Sequence, residues 1–535
     1  MQAIAEPADA SVASFYIATA TSAKGDSIGR GFFAGRAFNA GEEITSLTRP
    51  LVGSLDSQYL EDTCANCYVW TEGASTGTRL YVPQGTKVQK CAGCHRFRYC
   101  SKACQKEAWN RGHKHECKSL RHLIGKDMPK AVLACMELLI RRKHGLISDD
   151  DWEKLCELPT HVDDFKRTGA YENIELMAMG AGQFSLTQNM FNKDFVAAMY
   201  MRILSNSLTL ITPSLDPLGL MLDPTLGKLN HSCDSNAFIM MDGASVSLRV
   251  LKPMKKGEEV FISYIDTTNP FYRRQAELAS RWFFKCDCSK CQSGATLDED
   301  KWAREPQNLP KKVKDVADAI IAHEPVAKDP ANYVGESQDE KRVAALQTKA
   351  FAKYEEVQSM QQPEEVLMAI EDAMRLCHQS GSWPVYRQPY AALRDDLIVN
   401  LLSVGKYPIA WAQCAKRYKY ILPKLYPVPF HPVRVIQTWQ MAVLAVYLAG
   451  DPEGIGAPGV NMGLIAMMLV KQVLDASSKS HGVTSAFTIS VKKKAEEMTE
   501  ELKRSLGGQP NTEVMNRELE VQRDMLMEMG EWIKM

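Results

Sequence analysis

The chain has 535 residues, too many for a single hydrophobic core, so two to four domains are expected. Apolar residues make up 45% and charged residues 24%, which excludes a disordered or fibrous chain. Lys+Arg and Asp+Glu both total 64, so net charge excludes a uniformly basic polyanion binder and selects no partner by itself. The opening "MQAIAEPADASVASFYIA" has no basic-then-apolar leader pattern, and apolar runs such as "MAVLAVYLAG" are too short to span a bilayer. A cytoplasmic or nuclear protein without membrane contact is therefore expected. In a reducing compartment its fifteen cysteines read as metal ligands rather than disulfides.

In chain order, the first signal is "SIGRGFFAGRAFNAGEEI", in which Gly29 and Gly31 permit a tight turn and close approach to a ligand. Alone, "GRG" carries little information. Seven cysteines follow between Cys64 and Cys117, spaced C64-x₂-C67, C91-x₂-C94, C100-x₃-C104 and H113-x₃-C117. Each pair can converge on one tetrahedral ion, and four pairs supply two zinc sites with no ligand left over. His113 keeps the x₃ spacing to Cys117, with His115 as its alternative. Between Arg79 and Lys130 thirteen basic residues stand against three acidic ones, so positive charge is concentrated on this segment. That favours nucleic acid or an acidic partner as readily as a solvated face.

From residue 128 to about 200 the pattern is helical; "MPKAVLACMELLIRRKHG" ends in a basic turn and a glycine, as helix C-termini do. "KLNHSCDSNAFIM" reads as a polar loop entering a strand, Ala237–Met241, and "LKPMKKGEEVFISYID" as a turn leading to a strand, Val260–Ile265. "WFFKCDCSKCQ" then sets Cys286, Cys288 and Cys291 in C-x-C-x₂-C spacing, one ligand short of a structural zinc site. Residues 301 to 345 are charged and proline-containing, a linker or irregular helix start. Beyond them helical periodicity dominates, with lengths that suit TPR-like helix pairs.

The cysteine segment, with "YCSKACQKEAW" and the closing "HKHEC", resembles a MYND zinc finger. Together with "GRG", "NHSC", "ISY" and C-x-C-x₂-C, the chain resembles the SET-and-MYND (SMYD-like) family of lysine methyltransferases. The resemblance implies an α+β fold: a SET β-fold interrupted by the finger, a zinc-binding post-SET segment and a C-terminal all-α TPR-like domain. The corresponding boundaries are 10–60 (first SET segment), 61–120 (finger), 121–205 (helical insert), 206–270 (core SET), 271–300 (post-SET) and 301–535 (helical domain). It implies cross-braced zinc sites, Cys64, Cys67, Cys100 and Cys104 for one and Cys91, Cys94, His113 and Cys117 for the other. It also supplies Cys233 as the fourth ligand of Cys286, Cys288 and Cys291, for three zinc ions in all.

By the same resemblance S-adenosylmethionine is the cofactor, held by Gly29, Arg30, Gly31, Asn206, Asn230, His231, Tyr264 and Phe284, with Tyr264 catalytic. Trp282 falls where relatives commonly carry a tyrosine that lines the lysine channel, and Ile28 where they often carry a basic residue. The implied function is methyl transfer to a lysine side chain of a histone or non-histone protein. Its alternative is a weak or inactive SET protein serving as a MYND-based scaffold or transcriptional regulator. For the finger the resemblance allows a proline-rich or acidic protein segment, and the local charge allows weak nucleic-acid contact.

Overall fold

Two of the strands that precede residue 56 find their partners after residue 206. The computed structural model describes residues 13–21, 27–72, 79–293, 340–360, 362–378, 383–451, 455, 457–505, 512–533 and 535. In it, β1 (Phe15–Thr21) and β2 (Ser27–Ala34) form an antiparallel pair. By contrast β3 (Glu43–Leu47) pairs with Ser245–Val250, and β4 (Val52–Leu55) pairs with Pro217–Leu222. The chain between them folds separately and returns to the same sheets. The span expected to be a charged linker, 301–345, lies almost wholly outside the described residues.

The first part of that excursion is built on cysteine-bearing turns. β5 (Gln89–Lys90) and β6 (Arg98–Tyr99) flank one of them, and α1 (Lys102–Ala108) and α2 (Lys114–Arg121) follow. Helices α3 (Lys130–Lys143), α4 (Asp149–Cys156), α5 (Val162–Arg167), α6 (Tyr171–Ser185) and α7 (Lys193–Asn206) complete it. Their ends follow local chemistry. Ser148 and Asn192 accept hydrogen bonds from the amides of Asp151 and Phe195 at the starts of α4 and α7. Gly145, at φ +65°, lets the chain leave α3 in the left-handed region.

Three clusters of buried side chains hold this part together. One joins α3, α6 and α7 to β4 through Leu138, Leu139, Ala181, Met199 and Val52. A second fills the space between the sheets with Phe32, Phe38, Ile44, Leu210, Val250 and Ile262. The third sits under the cysteine-bearing turns and includes Leu120, Leu123, Leu133 and Met136.

After α7 come β7 (Leu208–Ile211), β8 (Pro217–Leu222), β9 (Asn230–His231), β10 (Ala237–Asp242), β11 (Ser245–Val250) and β12 (Phe261–Ile262). β10 and β11 make a tight hairpin whose two-residue loop begins with Gly243 at φ +61°. β9 and β12 are parallel, with Asn230 opposite Phe261 and His231 opposite Ile262. The strand expected over Val260–Ile265 is thus only two residues long. Its ladder stops because the Tyr264 amide donates to the His231 side chain, 3.0 Å, rather than to a neighbouring strand. α8 (Phe271–Trp282) and α9 (Ser289–Gln292) close this stretch.

The chain divides into two compact units. The first comprises 1–265, 275–292 and 479–487, the second 266–274, 293–478 and 488–535, within the described residues. Segment 479–487, inside the span read as the C-terminal helical domain, belongs to the first unit. There Arg249 Nε donates to the Lys479 carbonyl at 3.0 Å, and the Ala486 amide to Asp242 at 2.9 Å. The second unit is helical. Glu340–Val357, Pro363–His378, Tyr390–Ser403 and Tyr407–Lys416 pack each against the next. Its core buries Trp411, Trp439 and Trp532, and Lys416 there donates to the Ile533 carbonyl at 2.9 Å. Among the described residues no helix is long and apolar enough to cross a membrane.

Three cysteine clusters and a candidate cofactor pocket

The two C-x₂-C turns share one backbone device. After each second cysteine a residue turns left-handed, Tyr68 at φ +59° and His95 at φ +54°. Each donates its amide to the first cysteine's carbonyl, Cys64 or Cys91, at 2.9 Å. The thiols of a pair are thereby turned to the same side. The third pair is set by a helix start: Ser101 caps α1 by accepting from the Cys104 amide, 3.1 Å, which places Cys104 one turn from Cys100.

The ligand atoms of Cys64, Cys67, Cys100 and Cys104 lie within 4.8 Å of one another, as do those of Cys91, Cys94, His113 and Cys117. The pairs therefore alternate between the two sites. Sulfur separations are 3.6 Å for Cys67–Cys100, 3.5 Å for Cys100–Cys104 and 3.8 Å for Cys91–Cys117. A tetrahedral zinc with thiolates at ~2.3 Å has edges of roughly 3.8 Å, so the donor sets fit zinc in kind and spacing. Of the two candidate histidines, His113 is buried in its cluster, while His115 instead stacks on His144 with ring centroids 3.6 Å apart.

Between α1 and α2 the chain kinks at Gly112, at φ +155°, immediately before His113. His113 Nδ1 faces Glu116 Oε1 at 3.0 Å. A carboxylate there orients the imidazole with Nε2 toward the cysteines. Sequence reasoning missed Glu116, although its place three residues after His113 at a helix start was a usable signal. The long stretch between Cys67 and Cys91 is anchored in part. Arg79 lies 3.7 Å over the Trp70 ring and pairs with Asp216 at 3.3 Å, while Tyr81 bonds Ser214 at 2.9 Å.

The third cluster gathers Cys233, Cys286, Cys288 and Cys291, with Cys291 and Cys233 sulfurs 3.5 Å apart. Residues fifty and more apart in sequence meet because Gln275 on α8 holds the second stretch. Its amide donates to the Cys286 carbonyl at 2.8 Å and accepts from the Cys286 amide at 3.0 Å. Nothing in the sequence marked Gln275 for this role.

Beside this cluster, β9 presents Asn230 and His231. His231 Nδ1 accepts from the Tyr264 amide, so its proton is on Nε2, which lies 3.3 Å from the Cys233 sulfur. His231 is a neighbour of the third cluster, outside its four-residue set. Tyr264 donates its hydroxyl to the Leu229 carbonyl at 2.5 Å. Burial, then the Glu259 carboxylate, raises the Tyr264 phenol well above its ordinary range, so it stays protonated. The Trp282 ring lies 5.3 Å from that of Tyr264, and the Phe284 ring 6.1 Å from that of His231.

Asn230 Nδ2 donates to the Arg30 carbonyl at 3.3 Å and to Glu259 Oε1 at 2.7 Å, which brings the Gly29–Gly31 turn to the same place. Gly29 has φ +108°, and a Cβ on Gly31 would stand 2.4 Å from Glu259 Oε1. Asn206 is less directly joined: its Nδ2 donates to the carbonyls of Pro159 and Arg202, at 2.9 and 2.8 Å. Buried Asn236, also missed, ties the floor together by donating to the Glu259 carbonyl, 2.9 Å, and accepting from the Phe261 amide, 2.8 Å. The result is a polar turn, an open amide, a phenol and aromatic faces beside one metal cluster.

The MYND finger profile matches residues 63–117. The chain is 33% identical over 272 residues to the SET domain and MYND-type zinc finger protein 6 of Schizosaccharomyces pombe, covering 49% of this chain and 51% of that protein. It is 28% identical over 244 residues to human histone-lysine N-methyltransferase SMYD3, 43% of this chain and 56% of the relative. With human N-lysine methyltransferase SMYD2 it shares 26% over 266 residues, 48% of this chain and 56% of the relative. The chain carries a MYND finger and is similar to SMYD-type SET-and-MYND proteins. It spans only a little more than half the length of these relatives. The MYND segment is the part that carries the first two cysteine clusters.

Proposed function

We propose that the first unit is a SET fold interrupted by the MYND finger and helical insert, and that it methylates the side-chain amine of lysine in a histone or non-histone protein. The observation that carries the reading is the meeting of Asn230 and His231, on the parallel pair β9–β12, with Tyr264 just beyond β12, beside Cys233 and its partners. Segments 10–60, 206–270 and 271–300, less 266–274, make the fold, 61–120 and 121–205 the interruption, and 301–535, less 479–487, a TPR-like helical domain. The three clusters hold zinc; the third secures one wall of the pocket.

S-adenosylmethionine, when bound, supplies a methyl group on a sulfonium centre. The residues fit it: Gly29 leaves space along the Arg30 backbone, Gly31 admits Glu259 to the turn, Phe284 offers an aromatic face, and Asn230, His231 and Asn206 line the polar side. A lysine must reach the pocket as a neutral amine, a form that only about one in a thousand adopts near pH 7. An apolar channel past Trp282 disfavours the ammonium. With its own proton directed at the Leu229 carbonyl, Tyr264 can accept an N–H from the amine, leaving the nitrogen lone pair aimed at the reacting carbon.

The second reading, a MYND-based scaffold or transcriptional regulator, draws on Trp282, whose indole stands against Tyr264 where a smaller phenol is expected. For the finger we assign a proline-rich or acidic protein segment as partner. Lys102, Lys106, Lys114 and Lys118 are exposed on it, and nucleic acid is the charge-based alternative. The test is transfer of labelled methyl from S-adenosylmethionine to core histones and to a whole-cell protein extract. The enzyme reading predicts labelled lysine that falls at least about a hundredfold with Tyr264→Phe. No lysine label with the folded wild-type protein favours the scaffold.

A further inference from the structure

We propose that Glu259 is a positioning residue that fixes which end of the Asn230 amide faces the ligand; the inference rests on the cofactor pocket proposed above. Both groups that meet the Asn230 nitrogen, the Arg30 carbonyl at 3.3 Å and Glu259 Oε1 at 2.7 Å, are acceptors. The Arg30 carbonyl has no proton to give, and the amide nitrogen meets both it and the Glu259 oxygen, so the NH₂ end of the amide faces them. The Asn230 oxygen is thereby turned away, and it has no hydrogen-bond partner among the described residues. A half-buried amide oxygen held in this way is a site for a cationic donor, here the α-ammonium of the cofactor's amino-acid portion.

The carboxylate is itself held in place. Glu259 forms a bridge with Phe33, and its carbonyl accepts from buried Asn236 at 2.9 Å. It can approach the turn because residue 31 has no side chain: a Cβ there would lie 2.4 Å from Oε1 and 2.9 Å from the Ala20 Cβ. No basic side chain pairs with Glu259 among the described residues, and burial raises its carboxyl above the usual range. A partly desolvated carboxylate without a protein cation gains from a ligand cation nearby.

Glu259→Gln tests this, because the replacement offers an amide that can donate or accept and so leaves Asn230 free to turn. Two probes are titrated calorimetrically into zinc-loaded wild type and variant: S-adenosylmethionine, and 5′-methylthioadenosine, which lacks the ammonium. The inference predicts binding of S-adenosylmethionine about tenfold weaker in the variant, with 5′-methylthioadenosine unchanged. Equal losses for both probes, or no loss for either, overturn it. Wild type that binds neither probe overturns the pocket itself, a separate failure visible before any variant is made. Thermal unfolding of the same samples reports folding. If Glu259→Gln does not fold, Glu259→Asp, which withdraws the charge by one methylene, is read by the same criteria.

Discussion

Trp282 packs its ring 5.3 Å from that of Tyr264, with the Arg281 guanidinium 4.5 Å over the indole. On the proposed reading this bulk narrows the space for an amine that already carries methyl groups, and it lacks the hydroxyl of a tyrosine. Trp282→Tyr should therefore raise turnover or shift the product to a higher methyl number, as mass spectrometry of the modified lysine would report. An unchanged rate and product distribution would remove Trp282 from the channel. A second residue is informative about stability. Burial raises the Glu371 carboxyl to about 6, against smaller opposing effects of Lys406 and Arg375. Its folded pKa lies above its unfolded value, so ionising it costs folding free energy above pH 6, and the cost disappears as pH falls and the group protonates in the fold. Glu371→Gln should stabilise the second unit by about 1–2 kcal/mol at pH 8 and by almost nothing at pH 4, below the unfolded value. Denaturant unfolding at the two pH values measures the difference, and an equal effect at both would contradict it.

At the scale of elements, the zinc turns and the parallel pair β9–β12 do most to assemble the pocket. Cys233 comes two residues after β9, and its partners lie between α8 and α9 (Cys286 and Cys288) and on α9 itself (Cys291). Loss of one ligand should release that stretch while leaving the finger loaded. Native mass spectrometry of Cys233→Ser is expected to return two zinc ions where the wild type returns three, with faster proteolysis around Cys286–Cys291. Three zinc ions in the variant would show that Cys233 is not a ligand. Much of this was legible beforehand because ligand spacing is a local property: each cysteine pair is bound to a short turn or a helix start, and the sequence displays both. The interaction of Gln275 with Cys286 and that of Asn236 with Glu259 and Phe261 were not legible. A lone amide has no periodicity, and its partners are backbone groups brought near by folding. The expected strand Val260–Ile265 shrank to Phe261–Ile262 for a related reason, since a histidine side chain captured the amide that would have extended the ladder.

For the whole molecule, hydrophobic periodicity anticipated a helical C-terminal part but not its exchange of segments with the first unit. Residues 479–487 return to the first unit through polar contacts: His481 Nε2 to the Pro213 carbonyl at 2.9 Å, and the Arg249 and Ala486 bonds. Such contacts join elements more than two hundred residues apart and leave no mark in a local pattern. The same holds for Glu259, whose motif "GEEV" reads as a turn before a strand until Asn230 and Gly31 are set against it. What unites the molecule functionally, on the account proposed here, is a single pocket in the first unit. The most direct measurement is calorimetric titration of S-adenosylmethionine into the purified protein carrying three zinc ions. The account predicts micromolar or tighter binding at one site, weakened at least about tenfold by Asn230→Ala. Absence of binding in folded, zinc-loaded protein would contradict it and leave the MYND-based scaffold as the reading that stands.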